Sequence, residues 1–184
     1  MVWKTTIRHI LGRAAPALRP DPALAKEMSA RLQAGGARKL GRALSIRHVA
    51  AGSCNGCELE LRAIQNLIYD LTQYGLSFVA SPRHADILLV TGVSNRNMAQ
   101  ALRQARTAMP EPALVVAVGD CALDGGVFKG SPVVLGGAKA VVPVDLVVAG
   151  CPPNPAEIIA GLVALVDAHD TKMPPKPKIL PGMT

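Results

Sequence analysis

Aromatic residues make up only 3% of this 184-residue chain, so its core must be built from Val, Leu, Ile and Ala. No apolar stretch reaches the roughly 18–20 residues of a membrane-spanning helix, which points to a soluble or peripheral protein. There is no G-x-G-x-x-G opening a helix and no G-K-S/T, so the glycine-rich GDCALDGGVFKG and VLGGAKA lack the spacing that seats a pyrophosphate on a helix start. Serine-nucleophile chemistry is excluded too, because His9, His48, His84 and His169 are scattered and none accompanies a nucleophilic Ser motif. Cysteine is scarce, with four residues at Cys54, Cys57, Cys121 and Cys151. A disulfide framework is not expected in a chain of this length without a secretory signal.

What is present is a hydrophobic fraction of 49%, enough for one domain with a sizeable core. The net charge of +7 is unevenly placed. Residues 1–47 carry ten Lys/Arg against Asp21 and Glu27, a balance of +8, and the remainder carries ten against eleven, a balance of −1. The segment 1–43 is therefore read as a basic N-terminal extension, broken by Pro16, Pro20, Pro22, Gly35 and Gly36. Such an arm suits an acidic partner, anionic lipid or nucleic acid. Its acid-free, Arg-rich start also fits a transit peptide, and a solvated tail is the plain alternative. Residues 172–184 (KMPPKPKILPGMT) read as an extended tail.

Between them, strand and helix patterns alternate over residues 44–171. LSIRHVA (44–50), SFVA (77–80), DILLVTG (86–92), ALVVAVG (113–119) and VDLVVAG (144–150) are apolar runs of strand length. Continuous Val/Leu runs favour parallel strands covered on both faces. A helix is predicted over 58–74, with Leu61, Ile64, Ile68 and Leu71 at helical spacing and Gly75 as terminator. Others are predicted over Asn95–Met109, with Met98, Leu102, Ala105 and Met109 on one face, and over Pro155–Ala168. The class is α/β, doubly wound about a parallel sheet.

The cysteines acquire meaning from that pattern. Cys54 and Cys57 lie in GSCNGCELE, Cys121 in VGDCALDGG and Cys151 in AGCPPNP, and each group follows a predicted strand. Loops leaving the carboxyl ends of parallel strands converge on one edge of the sheet, where ligands bind. Four thiols from three loops match the demand of an iron–sulfur cluster, and proline directly after a ligand cysteine recurs in cluster loops, as at Cys151-Pro152. Gly52, Gly56, Gly119 and Gly150 beside them let backbone pass close and adopt positive φ. A structural zinc site usually draws on two close ligand pairs, and here there is one Cys-x-x-Cys. Zinc and plain buried thiols remain the alternatives to a four-iron cluster. Glu58 and Glu60 follow Cys57 directly. They read first as first-turn carboxylates favoured by the helix dipole, and otherwise as candidates for proton relay beside a redox centre.

From about Leu44 to Val166, SCNGCELE, SPRHADILLVTG, MPEPALVVAVGDCA-x-x-GG-x-F and PVDLVVAGCPPNP-x-EI, in that order, closely resemble the small, cluster-bearing subunit of group 4 membrane-bound nickel–iron hydrogenases, formate hydrogenlyase and hydrogenase 4 among them. The same superfamily contains the 20 kDa subunit of respiratory complex I. The resemblance implies a flavodoxin-like fold. It implies one 4Fe-4S cluster on Cys54, Cys57, Cys121 and Cys151, acting as the last relay beside the active site of a large subunit. The implied partners are that large subunit, a ferredoxin-like iron–sulfur subunit and membrane subunits, with no nucleic acid, and the implied location is peripheral, on the cytoplasmic side of the inner membrane. It also implies that Arg83 lies near the cluster, where a cation would stabilise added electron density, although Arg83 could equally pair with Asp86. His84 is then a candidate proton-coupled neighbour. The complex I subunit has adjacent cysteines at the first ligand position, whereas Asn55 and Gly56 separate Cys54 from Cys57 here, as in hydrogenases. A complex I-like or nickel-free hydrogenase-related complex is the alternative within the superfamily. A zinc-stabilised assembly module is the alternative of another class.

Overall fold

The computed structural model describes residues 43–170. The basic extension, apart from Ala43, and the tail at 172–184 lie outside the described residues. Five strands form one all-parallel sheet: β1 (Leu44–Ala50), β2 (Leu76–Phe78), β3 (Ile87–Thr91), β4 (Leu114–Val118) and β5 (Leu146–Val148). Their order, β2-β1-β3-β4-β5, is that of the flavodoxin-like doubly wound fold. Among the described residues four α-helices accompany them: α1 (Gly56–Ala63), α2 (Arg96–Thr107), the single-turn α3 (Asp120–Asp124) and α4 (Pro155–Asp170).

The strand sequences explain the layering. β3 reads ILLVT and every residue in it is buried, because helices cover both faces of the sheet. Ile87 and Leu89 face one side with Val116 and Val118 of β4, packing against Leu61 of α1 and Ile158 and Leu162 of α4. Leu88 and Val90 face the other side with Val115 and Ala117, packing against Leu102 of α2 and Met109 beyond it. With little aromatic bulk available, branched aliphatic side chains fill both layers. α2 starts where the sequence predicts, with Asn95 Oδ1 accepting the Met98 N–H at 2.8 Å. Among the described residues no helix is long and apolar enough to cross a membrane.

One predicted element is divided. The helix expected over 58–74 ends at Ala63, and only Leu71–Tyr74 resumes helical form, as a 3-10 turn. Local hydrogen bonding by side chains explains the break. Asn66 Oδ1 accepts the N–H groups of Ile68 and Tyr69 at 2.8 and 3.1 Å, and Asp70, at φ 37°, accepts the Thr72 N–H. Such bonds offer the backbone an alternative to the helical ladder. Ile64 and Leu71 stay buried, while Leu67 and Ile68 between them are 99% and 75% exposed. The apolar period at Ile68 is therefore not a core stripe.

The two forms of this segment differ energetically. Ile64→Ala should destabilise the protein by about 2–5 kcal/mol, the usual cost of a fully buried aliphatic truncation. Ile68→Ala should stay within about 0.5 kcal/mol, as an exposed substitution does. Urea unfolding of the two variants checks this, and comparable losses at both sites would restore the continuous helix.

Candidate metal centre

Three loops leave the carboxyl edge of the sheet at β1, β4 and β5, and each carries cysteine. β1 ends at Ala50, and the chain turns sharply because Ala51 N–H donates to Thr91 O at 2.8 Å and Gly52 adopts φ 123°. That turn delivers Cys54 just before α1 and Cys57 within its first turn. After β4, Gly119 at φ 92° opens α3, which holds Cys121. After β5, Gly150 at φ 135° leads to Cys151. The β4 and β5 loops are stitched together: Asp120 N–H donates to Gly150 O at 2.9 Å, and Gly150 N–H donates to Asp120 Oδ1 at 2.8 Å. Beyond Cys151, Asn154 and Glu157 exchange reciprocal hydrogen bonds at 2.9 Å, a capping box that fixes the start of α4.

The loops meet. A Cβ built on Gly119 would stand 2.7 Å from Cys57 Sγ, so the β4 loop admits the Cys57 sulfur only because position 119 lacks a side chain. A Cβ on Gly56 would lie 3.5 Å from Cys54 Sγ and 3.9 Å from Pro152 of the β5 loop. All four cysteines are free thiols, with Cys54 and Cys151 exposed, Cys57 half-buried and Cys121 buried.

Electrostatics shows what this edge requires. Burial, then Glu58, then the other three cysteines push the Cys57 thiol up to about 11. Cys121 is raised as well, chiefly by burial and then by Cys151 and Cys54, against a hydrogen bond from the Val127 N–H. No Lys or Arg is among the groups acting on either thiol. Cys57 and Cys121 therefore stay protonated at neutral pH until a cation arrives, which is opposite to the lowered pKa of a nucleophilic cysteine. Metal binding would release those protons and supply the missing positive charge. Four thiols in a glycine-lined cradle fit an iron–sulfur group in donor type and number. Among the described residues, no three His, Cys, Asp or Glu side chains gather closely enough to hold a single ion.

Glu58 stands in the first turn of α1, as its dipole role predicts, but has a further partner. Thr91, the last residue of β3, donates its hydroxyl to Glu58 Oε1. Although burial alone would raise it, bonds from the Thr91 and Ser53 hydroxyls hold the carboxyl below its usual value. Since Thr91 donates to Glu58, its oxygen accepts from His48 Nε2 at 2.8 Å, which assigns the proton of a neutral ring to Nε2. Burial first, with Arg47 adding to it and Glu58 opposing, lowers the His48 pKa and keeps that ring neutral. His48 and Thr91 thus belong to the surroundings of the centre, and sequence reasoning missed both. The signal was the parallel pairing of β1 with β3, where His48 opposes Leu89 and Thr91 is its diagonal neighbour on the same face. A cleft of about 480 Å³ beside this chain is lined by Arg47, His48, Glu58, Leu61, Arg62 and Phe78.

Glu60 is half-buried on α1. Arg83 and His84 are exposed in a 3-10 turn between β2 and β3. The chain enters that crossover where Val79 N–H donates to Ile46 O and leaves it where Asp86 N–H donates to Ser45 O. Ser45 and Ile46 lie four to five residues before the end of β1, or about 13–17 Å at 3.3 Å per residue. Neither Arg83 nor His84 is among the groups acting on the Cys57 and Cys121 thiols. The structure brings Glu58 and the three cysteine-bearing loops to one edge of the sheet, with Arg83 and His84 exposed on the crossover between β2 and β3.

Comparison with known proteins agrees with this geometry. The model of the family described as NADH ubiquinone oxidoreductase, 20 Kd subunit, matches residues 54–165, which include all four cysteines. The chain is 40% identical over 128 residues to the probable membrane-bound hydrogenase subunit mbhJ of Pyrococcus furiosus, covering 70% of this chain and 77% of that one. It is 46% identical over 110 residues to an NADH-quinone oxidoreductase subunit of Herpetosiphon aurantiacus, covering 59% of this chain and 61% of that one. Among solved structures it resembles a chain of the membrane-bound sulfane sulfur reductase, an archaeal respiratory membrane complex, with a TM-score of 0.64 and 26% identity over 78% of this chain and 77% of that one. With a match spanning more than half of its length, the chain belongs to the NADH ubiquinone oxidoreductase 20 kDa subunit family.

Proposed function

We propose that Cys54, Cys57, Cys121 and Cys151 hold one 4Fe-4S cluster. Through it the chain relays electrons to or from an active site in the large subunit of a membrane-bound, hydrogenase-like complex. The chain is a complex I- or hydrogenase-like subunit of the 20 kDa type, from a family of oxidoreductase complexes. The observation that carries the finer reading is the meeting of four cysteines from three loops, with Cys57 and Cys121 held protonated and no cation among the groups acting on those two. A single zinc at about 2.3 Å from tetrahedral sulfurs would draw them to about 3.8 Å from one another. When bound, a 4Fe-4S cluster supplies reversible one-electron transfer.

The chain's own residues do the rest. The glycine turns at 119 and 150 let backbone approach the sulfurs, and Thr91 and His48 hold Glu58 in one orientation beside Cys57. One cluster without flavin or nucleotide motifs cannot carry out two-electron chemistry alone, so the cysteine edge must face a second redox centre. Cys54 and Cys151 are exposed, and so are the apolar Leu123, Val127, Phe128, Val133 and Leu135 beyond Cys121. Apolar residues exposed together mark a surface meant to be covered, and the large subunit is the covering partner in this reading. A ferredoxin-like subunit and membrane subunits complete the complex, and the chain sits peripherally at the cytoplasmic membrane face, its basic extension 1–43 anchoring it.

A second reading within the family is a quinone-reducing or nickel-free complex, favoured by the 46% identity to the NADH-quinone oxidoreductase subunit. The Cys54-Asn55-Gly56-Cys57 spacing favours the hydrogenase type. The large subunit's own active-site ligands separate the two.

Iron analysis with electron paramagnetic resonance after reduction tests the cluster. About four irons with a reducible signal are expected, and one zinc without a signal would establish the assembly module instead. Cys54→Ala, Cys57→Ala, Cys121→Ala and Cys151→Ala should each lose the cluster or retain about three irons. A variant that keeps the full native spectrum removes its residue from the ligand set. Gly119→Ala should also lose most of its iron, because its Cβ would meet the Cys57 sulfur at 2.7 Å in a backbone conformation that L-residues rarely adopt. Full loading of that variant would show that Cys57 does not sit against the β4 loop when the cluster is present.

A further inference from the structure

β3 carries no cysteine, yet the loop that leaves it touches loops that do. Three backbone hydrogen bonds join it to the β1 loop. Ala51 N–H donates to Thr91 O at 2.8 Å, Val93 N–H to Gly52 O at 2.9 Å and Asn95 N–H to Ala51 O at 3.2 Å. The approach is tight. A Cβ on Gly92, at φ 73°, would stand 2.6 Å from Gly52 O and 2.7 Å from the Cβ of Ser53, the residue before Cys54.

On its other side the same loop is held by the segment 133–136. Ser94 N–H donates to Gly136 O at 3.0 Å, Leu135 N–H to Ser94 O at 2.8 Å and Arg96 N–H to Val133 O at 3.0 Å. Asn95 and Val134 pair there as an isolated antiparallel bridge. Ser94, at the middle of this run, is fully buried, so solvent does not loosen its two bonds. The next residue of the segment, Gly137, lies against α3, which carries Cys121. A Cβ on Gly137 would stand 2.1 Å from Leu123 O and 2.6 Å from Ala122 O. Backbone contacts therefore run from the Cys54 loop, through the β3 loop, to the Cys121 helix.

Resting on the cluster reading above, we infer that Gly92 and Gly137 are positioning residues for the cluster. Through the β3 loop they set the Cys54 loop against the Cys121 helix, so the spacing of two proposed ligands is fixed by a loop that carries neither. The physical reason is steric. Ordinary Cβ contacts lie at 3.4–4 Å, so a methyl group at either glycine must push backbone away. Gly92 also adopts a φ that L-residues rarely take. Ligands need to be held within about 0.5 Å of their working geometry, and the displaced element differs between the two sites. Alanine at 92 moves the Cys54 loop, and alanine at 137 moves the Cys121 helix.

The test uses the full-length chain carrying its cluster. Labelling with iodoacetamide, followed by tandem mass spectrometry, reads which cysteines the iron protects. In the wild type all four should resist. G92A should retain about three irons and label at Cys54 ahead of the other three cysteines, and G137A should label first at Cys121. A general loosening of the domain would label all four alike, so equal rates in a folded variant overturn the inference. A fully loaded G92A with Cys54 still protected does the same. If neither variant folds, amide hydrogen exchange of the wild type decides. The N–H groups of Val93, Ser94, Asn95 and Leu135 should exchange slowly, and rapid exchange there overturns the inference. A wild-type chain that holds no iron overturns the cluster reading itself and this inference with it.

Discussion

Four sulfurs brought to one sheet edge repel one another as soon as they ionise, and the groups acting on the buried pair include no lysine or arginine to offset that repulsion. Burial, Glu58 and the neighbouring cysteines raise the Cys57 thiol to about 11. Cys57 and Cys121 therefore stay protonated until added positive charge converts them to thiolates. Much else at this edge follows from that demand. Backbone must come close to sulfur, side chains must be absent where it does, and the loops must be fastened to each other rather than to the ligands alone. The Asp120–Gly150 exchange does the fastening between the β4 and β5 loops. Gly119 supplies the missing side chain.

The sheet makes the convergence possible. A doubly wound order puts β1, β3, β4 and β5 side by side, so loops far apart in sequence emerge at the same edge. β3 contributes no cysteine, yet it lies between β1 and β4 and ends in Thr91, whose hydroxyl reaches Glu58. The result is an ordered hydrogen-bond direction, from His48 Nε2 to Thr91 to the Glu58 carboxylate. A carboxylate kept ionised directly beside Cys57 opposes ionisation of that thiol, which deepens the need for metal charge.

Much of this was legible in the chain. Parallel strands with both faces buried read as continuous Val/Leu runs, and β1, β3 and β4 fall within one residue of their predicted ends because that pattern is strictly local. β2 and β5 are shorter than their apolar runs, since pairing with a neighbour ends before the apolar residues do. Placing each cysteine after a strand was enough to locate the edge, because in this topology the carboxyl ends of strands have only one edge to share. The helix over 58–74 failed where Asn66 and Asp70 satisfied backbone N–H groups locally. Apolar spacing counts side chains and does not see that competition.

By itself, then, the sequence determined the fold class and the edge to which the cysteines are delivered, since these depend on periodicity and on the polarity of each strand. Tertiary structure alone decided which groups surround those cysteines. His48 meets Thr91 only through the register of β1 against β3, and Gly126 comes against Cys121 only because two glycines with positive φ turn the chain back on itself. Neighbours along the chain follow from covalent spacing, whereas these contacts follow from how the sheet is wound.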